Sequence, residues 1–237
     1  SLQSRGAYSP DGIEWTDEPL NPIIPFSDTQ ICPTWDVSHG RYVAYLRYGP
    51  PNIRSIARIE SEDFIHWSPK VTVFTQLKDK IDVPRSTTLY GMRIMPYEGG
   101  VHIGLVTTYH SESITKIPKD KEAWMDKTDV QLSFSRNGLT WLRVGKNGAI
   151  TLEQYREEKN WMKVSLEATF IPLGVNREDW DWGSIYPFQG PMIVGDEIWF
   201  YYAGASHRHW AKYHGDEEKS GIGFATLRLD GFVSIDA

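Results

Sequence analysis

Hydrophobic and polar positions along this chain alternate in the manner of β-strands. Arg41–Tyr48 (RYVAYLRY) alternates with period two, and Ser55–Glu60 (SIARIE) follows it. Alternate side chains of a strand point to opposite faces, so such runs describe strands with one or both faces buried. A second block holds Met92–Met95, Val101–Thr107 and Val130–Ser135, and a third holds Pro191–Val194, Glu197–Tyr202 and Ile222–Leu227. Tight-turn pairs (His39-Gly40, Glu98-Gly99-Gly100, Gly195-Asp196) separate the strands. Helical periodicity is confined to Leu152–Val164 and a short stretch over Pro118–Met125.

One turn recurs. Ser9–Trp15 (SPDGIEW), Ser61–Trp67 (SEDFIHW), Ser135–Trp141 (SRNGLTW) and Leu229–Phe232 (LDGF) each set a turn-forming pair ahead of an aromatic. Asp-Gly and Asn-Gly predict two-residue type I′ hairpins, whose central residues both need positive φ. With these hairpins as markers the chain divides into four-stranded antiparallel units. Residues 1–30 supply the end of one unit, and 31–84, 85–164 and 165–237 are the next three. Four-stranded units repeated radially describe an all-β propeller. The alternative is a β-sandwich with several hairpins. Ser1–Arg5 runs straight into the first hairpin, so the propeller reads as incomplete at the N-terminus, closed by a further domain or chain.

Composition narrows the partners. The net charge is −6 and the basic residues are scattered singly, which argues against nucleic acid. No apolar run reaches the length that spans a bilayer, so no membrane partner is expected. Cys32 is the only cysteine and admits no intrachain disulfide. Ten Trp, twelve Tyr and nine Phe suit strands, and equally suit platforms that stack against sugar rings. Gly-rich phosphate loops, HExxH helices and Gly-x-Ser-x-Gly elbows are missing.

The segments SEDFIHWS (61–68), SRNGLTW (135–141), IWFYYA (198–203) and GIGFATLRLDGFVSIDA (221–237) resemble five-bladed β-propellers related to glycoside hydrolase families 32 and 43. The resemblance implies carbohydrate as substrate, no cofactor, a periplasmic or secreted setting, and acids on inner strands that meet in a central funnel. Asp36, in Thr34-Trp35-Asp36, partly matches the second-blade acid of an Arg-Asp-Pro motif, with Trp before it and Val37 after it. Thr88–Met92, where the third-blade acid belongs, contains no carboxylate.

Two acids are therefore the catalytic candidates. Asp36 lies between an aromatic and a tight turn. Asp181 belongs to Arg177–Gly183 (REDWDWG), where carboxylates alternate with indoles. Trp35, Tyr90, Arg93, Trp180, Trp182 and His207 are the expected substrate-binding residues. Arg47 and Arg85 are candidates for pairing with an anionic sugar. His207-Arg208-His209, with His214 and Asp216 beyond, has strand spacing for two imidazoles on one face, but shows no further ligand pattern, and no metal is expected. The expected function is glycoside hydrolysis by carboxylate acid–base chemistry. The rival is a propeller that binds carbohydrate without turnover.

Overall fold

The computed structural model describes residues 3–49, 54–75, 87–110, 126–145, 148–149, 168–209 and 218–232. The helical stretches over 118–125 and 152–164, together with Arg85, His214 and Asp216, lie outside the described residues. Among those described, no helix is long and apolar enough to cross a membrane.

The chain opens with four short strands, β1 (Gln3–Ser4), β2 (Ala7–Tyr8), β3 (Thr16–Asp17) and β4 (Ile24–Pro25). β2 pairs with β3 across the first hairpin, and β1 pairs with β4. Next comes an antiparallel meander of β5 (Cys32–Asp36), β6 (Arg41–Tyr48), β7 (Ser55–Ser61) and β8 (Val71–Phe74). β5 has no clean alternation, since Pro33 and Thr34 interrupt it, and the sequence pattern does not mark it as a strand. A second meander follows with β9 (Thr87–Tyr97), β10 (Val101–His110), β11 (Thr128–Ser135) and β12 (Leu142–Gly145), extended by β13 (Gly148–Ala149). β14 (Thr169–Ile171) adds to the edge of β11 near Val130. In the third set, β15 (Ser184–Pro187) and β16 (Met192–Val194) lie end to end along one edge of β17 (Glu197–Ala205). β18 (Ser220–Arg228) pairs along its other edge.

The sheets stack in series. One buried cluster joins Ala44, Leu46 and Ile59 of the first meander to Ile24 of β4. A second joins Val43, Tyr45 and Ile56 to Leu89, Met92 and Val106 of the second meander. A third joins Leu105, Val130 and Leu132 to Ile185, Ile198 and Phe200 of the third set. A two-layer sandwich has one core between two sheets; three cores between successive sheets are what a propeller requires. Each fully buried aliphatic side chain contributes roughly 2 kcal/mol here.

The innermost strands are tied across the axis. Arg93 on β9 donates from Nε to the Pro187 carbonyl of β15 at 3.2 Å and from Nη2 to the Gln30 side chain just before β5. Gln189, past β15, donates to the Pro33 carbonyl of β5. The Ile94 N–H points at the Cys32 sulfur, 3.3 Å away.

The recurring hairpins are not type I′ turns. Only one residue in each has positive φ: Gly12 (77°), Phe64 (68°) and Gly138 (67°). What recurs is a side-chain box. The serine hydroxyl (Ser9, Ser61, Ser135) accepts the N–H of the residue two positions on. The Asx oxygen (Asp11, Asp63, Asn137) accepts N–H groups two and three positions further on. The tryptophan indole (Trp15, Trp67, Trp141) donates back to the carbonyl three residues before it. Asx and Ser hold the turn by mimicking backbone partners. The 229–232 turn lacks the serine and the tryptophan, and its positive φ falls on Asp230.

Candidate functional site

Asp36 and Asp181 do not converge. Asp36 ends β5 with its carboxylate 4 % exposed. It lies 2.8 Å from His39 Nδ1, accepts the Ser38 N–H at 3.0 Å, and faces Arg58 Nη2 at 3.5 Å. Arg58 continues to Glu60, and Glu60 to Arg41. Burial pushes the Asp36 carboxyl up, but the His39 contact and the Ser38 hydrogen bond outweigh it and hold the group below its ordinary range. His102, at the start of β10, feels the Asp36 charge. Asp181 belongs to the opposite end: Ser184, three residues on, pairs with Thr128, which pairs with Tyr109 near the end of β10. Tyr109 lies seven residue steps along the strand from His102, on the order of 20 Å at the usual rise.

The other expected residues divide between these two ends and the axis. Trp35 is 44 % exposed and meets Tyr42 edge-on at 4.8 Å, heading a ladder that runs through Phe64 to Trp67. It stands with Asp36. Arg93 is 6 % exposed; its Nε and Nη2 make the strand ties described above, while its buried Nη1 has no hydrogen-bond partner among the described residues. Trp180 stacks on Tyr202 at 5.9 Å, and Asp181 accepts the Tyr202 hydroxyl at 3.1 Å. Burial first, then Asp181, pushes the Tyr202 phenol up to about 12. Trp182 is ringed by cations, with Lys127 Nζ 3.5 Å from its ring and Arg177 and Arg208 each at 5.8 Å. The His207 carbonyl accepts the Ser184 hydroxyl at 3.1 Å, while its ring turns to the Arg208 carbonyl. His209 instead faces Tyr186, so the two imidazoles of the H-x-H pair take different partners. Among the described residues, no group of three or more His, Cys, Asp and Glu could hold a metal ion.

Tyr90 is where the first meander, the second meander and the third set of strands meet; the last two are joined into one sheet by the parallel pairing of Thr128 with Ser184. Its ring lies 6.1 Å from Tyr109 of its own meander, and 6.0 Å from Tyr186 and 5.2 Å from His209 of the third set. From the first meander Arg47 lies over it at 4.8 Å, and Arg54, just before β7, at 5.8 Å. Arg47 grips both oxygens of Asp28, at 3.2 and 2.5 Å. The Tyr109 hydroxyl donates to the buried Asp126 at 2.5 Å, and the His209 N–H donates to the Asp126 carbonyl at 2.8 Å. Tyr186 Oη stands 3.3 Å from His209 Nδ1. Burial, and then Arg54, lowers the His209 pKa, so this imidazole is neutral near neutral pH. Burial raises the Tyr186 phenol.

Behind this cluster lies a buried polar knot. Asp129, with no exposed surface, stands 3.0 Å from His110 Nε2 and accepts the Thr169 hydroxyl at 2.6 Å and that of Thr108. The knot fixes the end of β10 that carries Tyr109 and the start of β11, two residues after Asp126.

Of this cluster the sequence singled out Tyr90 as a substrate-binding residue and Arg47 as an anion-pairing candidate. Asp28, Arg54, Tyr109, Asp126 and Tyr186 carry no motif, and their meeting depends on how the sheets stack. His209 shares an H-x-H with His207, the histidine expected to bind substrate, and it is His209 that reaches Tyr90.

No known protein family matches the sequence, and neither does any curated protein. Solved structures do match. β-1,2-Mannobiose phosphorylase from Listeria innocua aligns with TM-score 0.57 and 14 % identity over 96 % of this chain and 50 % of that one. A family 117 glycoside hydrolase from Zobellia galactanivorans aligns with TM-score 0.51 and 17 % identity over 83 % and 51 %. Sucrose-6-phosphate hydrolase from Lactobacillus gasseri aligns with TM-score 0.52 and 12 % identity over 97 % and 40 %. At such identities the likeness is one of fold: the chain has the all-β architecture of propeller glycosidases. It spans about half the length of these structures or less.

Proposed function

We propose that this protein binds a carbohydrate at the Tyr90 cluster and cleaves a glycosidic bond there. The observation that carries the reading is the meeting of Arg47 from the first meander, Tyr90 from the second, and Tyr186 and His209 from the third set of strands at one place. The aromatic rings offer apolar surface, while His209 and the Tyr90 and Tyr186 hydroxyls match sugar hydroxyls. Cleavage requires acid–base groups flanking one bond, normally two carboxyl groups no more than about 10 Å apart. Asp36 and Asp181, set at opposite ends of β10, do not fit that demand as a pair. Asp28, paired with the Arg47 that lies over Tyr90, is the carboxylate of this proposal, and the His209–Tyr186 pair moves the second proton. Asp181, Trp180, Trp182 and His207 form the adjoining rim. The same proposal takes 31–84, 85–164 and 165–237 as successive blades of a five-bladed wheel, with 1–30 ending an earlier one and a further domain or chain completing it.

A second reading, binding without turnover, is favoured by the lack of any carboxylate in Thr88–Met92. One experiment separates them. The protein is incubated with plant and algal oligosaccharides while bound sugar and released reducing ends are measured. Turnover abolished by Asp28→Asn, with binding retained, supports hydrolysis at this site. Binding without release selects the second reading, and binding that survives Tyr90→Ala places the site elsewhere.

A further inference from the structure

The Tyr90 cluster contains a cation with no ion-pair partner among the described residues. The chain carries a net charge of −6, yet Arg47, Arg54, Lys127, Arg177 and Arg208 gather about Tyr90, Tyr109 and Trp182. Arg47 has Asp28 as its counter-charge. Arg54 feels Asp28 only at longer range: among the described residues no carboxylate lies within ion-pair distance of it. Its guanidinium rests over two ring faces instead, 5.8 Å from the Tyr90 centroid and 5.4 Å from that of Tyr109. Burial, and then the like charge of Arg47, lowers its pKa, the mark of a cation held where its charge is poorly solvated.

A ring face attracts a cation but satisfies none of its five in-plane N–H donors. A half-buried guanidinium without an anion is costly, and its planar fork matches the paired oxygens of a carboxylate or sulfate. Neutral hydroxyls accept hydrogen bonds from such a fork but leave its charge unanswered.

We propose that Arg54 receives the acidic group of the ligand, so that the sugar taken at Tyr90 carries a carboxylate or a sulfate. The inference rests on the carbohydrate reading above and adds the substrate class to it. Tyr90 and Tyr109 then play two parts, holding the guanidinium in place and offering an edge to the sugar. Arg47 stays committed to Asp28, which leaves Arg54 as the cation open to the ligand.

The test uses isothermal titration of the whole protein with three probes: oligogalacturonides for carboxylate, sulfated galactan oligosaccharides for sulfate, and neutral galactan oligosaccharides. At least one acidic probe is expected to bind roughly tenfold or more tighter than the neutral one, as charge-assisted hydrogen bonds imply. Arg54→Met removes that preference. Arg54→Lys keeps the charge but loses the fork, retaining part of the preference and guarding against a Met variant that fails to fold. Acidic binding weakens between about 50 and 300 mM salt, and neutral binding does not. Neutral sugars that bind as tightly as acidic ones, or acidic binding indifferent to Arg54, overturn the inference. If neutral sugars bind and Tyr90→Ala abolishes that binding, the carbohydrate reading survives the loss. If no probe binds, both fall.

Discussion

Tyr45 donates its hydroxyl to the carbonyl of Gly138 at 3.0 Å, joining residues 93 positions apart. The Trp141 indole donates to the same carbonyl at 3.1 Å and meets the Tyr45 ring edge-on at 5.7 Å. The hairpin box of the second meander is thereby pinned to the core of the first. Tyr45→Phe should cost about 1 kcal/mol, the net worth of one buried hydrogen bond. Gly138→Ala should cost more, on the order of 2 kcal/mol, because φ is 67° there and an added Cβ would sit 2.7 Å from the Tyr45 hydroxyl. Urea midpoints at unchanged slope check both values. An alanine variant as stable as the phenylalanine one would break the argument.

Asp129 makes acid stability measurable. Burial pushes its carboxyl up, but the His110 imidazole and hydrogen bonds from His110, Thr108 and Thr169 outweigh it, leaving the folded-state pKa below the ordinary value. A depressed carboxyl stabilises the fold fully above its unfolded pKa of about 4, and that contribution is lost as pH falls toward the folded pKa. Asp129→Asn should therefore lower stability by about 3 kcal/mol at neutral pH. It should also flatten the fall in stability below about pH 5. Parallel wild-type and variant curves would contradict the assignment.

Asp36 and Tyr90 should respond in opposite ways. Asp36→Asn breaks a buried network with His39 and Arg58 and should cost about 1–3 kcal/mol of stability. Its sugar affinity should stay within about twofold, far below the tenfold that 1.4 kcal/mol represents. Tyr90→Ala should do the reverse, keeping most of the stability while losing binding. Thermal unfolding and titration of both variants decide it, and abolished turnover in stable Asp36→Asn protein would return Asp36 to the site.

Gly183 sets the rim. An added Cβ there would lie 2.2 Å from the His207 backbone, which cannot yield as a side-chain tip can. The Gly183 N–H also donates to the Ala205 carbonyl at 2.9 Å. Gly183→Ala should cost about 1–3 kcal/mol as overpacking. It should also move Trp182 relative to Lys127, visible as a change in tryptophan fluorescence, and an unshifted spectrum at full stability would refute this.

The strands and hairpins were legible because their causes are local. Arg41–Tyr48 and Glu197–Tyr202 alternate on their own, and the Ser-x-Asx-to-Trp spacing closes each box within seven residues. The turn type was misjudged for a local reason too: Asp-Gly and Asn-Gly satisfy type I′, but here the serine and Asx side chains take the N–H groups, leaving one left-handed residue per turn.

The chain by itself determined an all-β protein of repeated hairpins, since period-two burial and side-chain turn caps act over a few residues. Tertiary structure alone decided that Arg47, Tyr90, Tyr186 and His209 face one another while Asp36 and Asp181 do not. A strand's pattern says which side chains share a face. Which end of each strand meets its neighbours is set by the stacking of sheets far apart in sequence, through buried surfaces that carry no local mark.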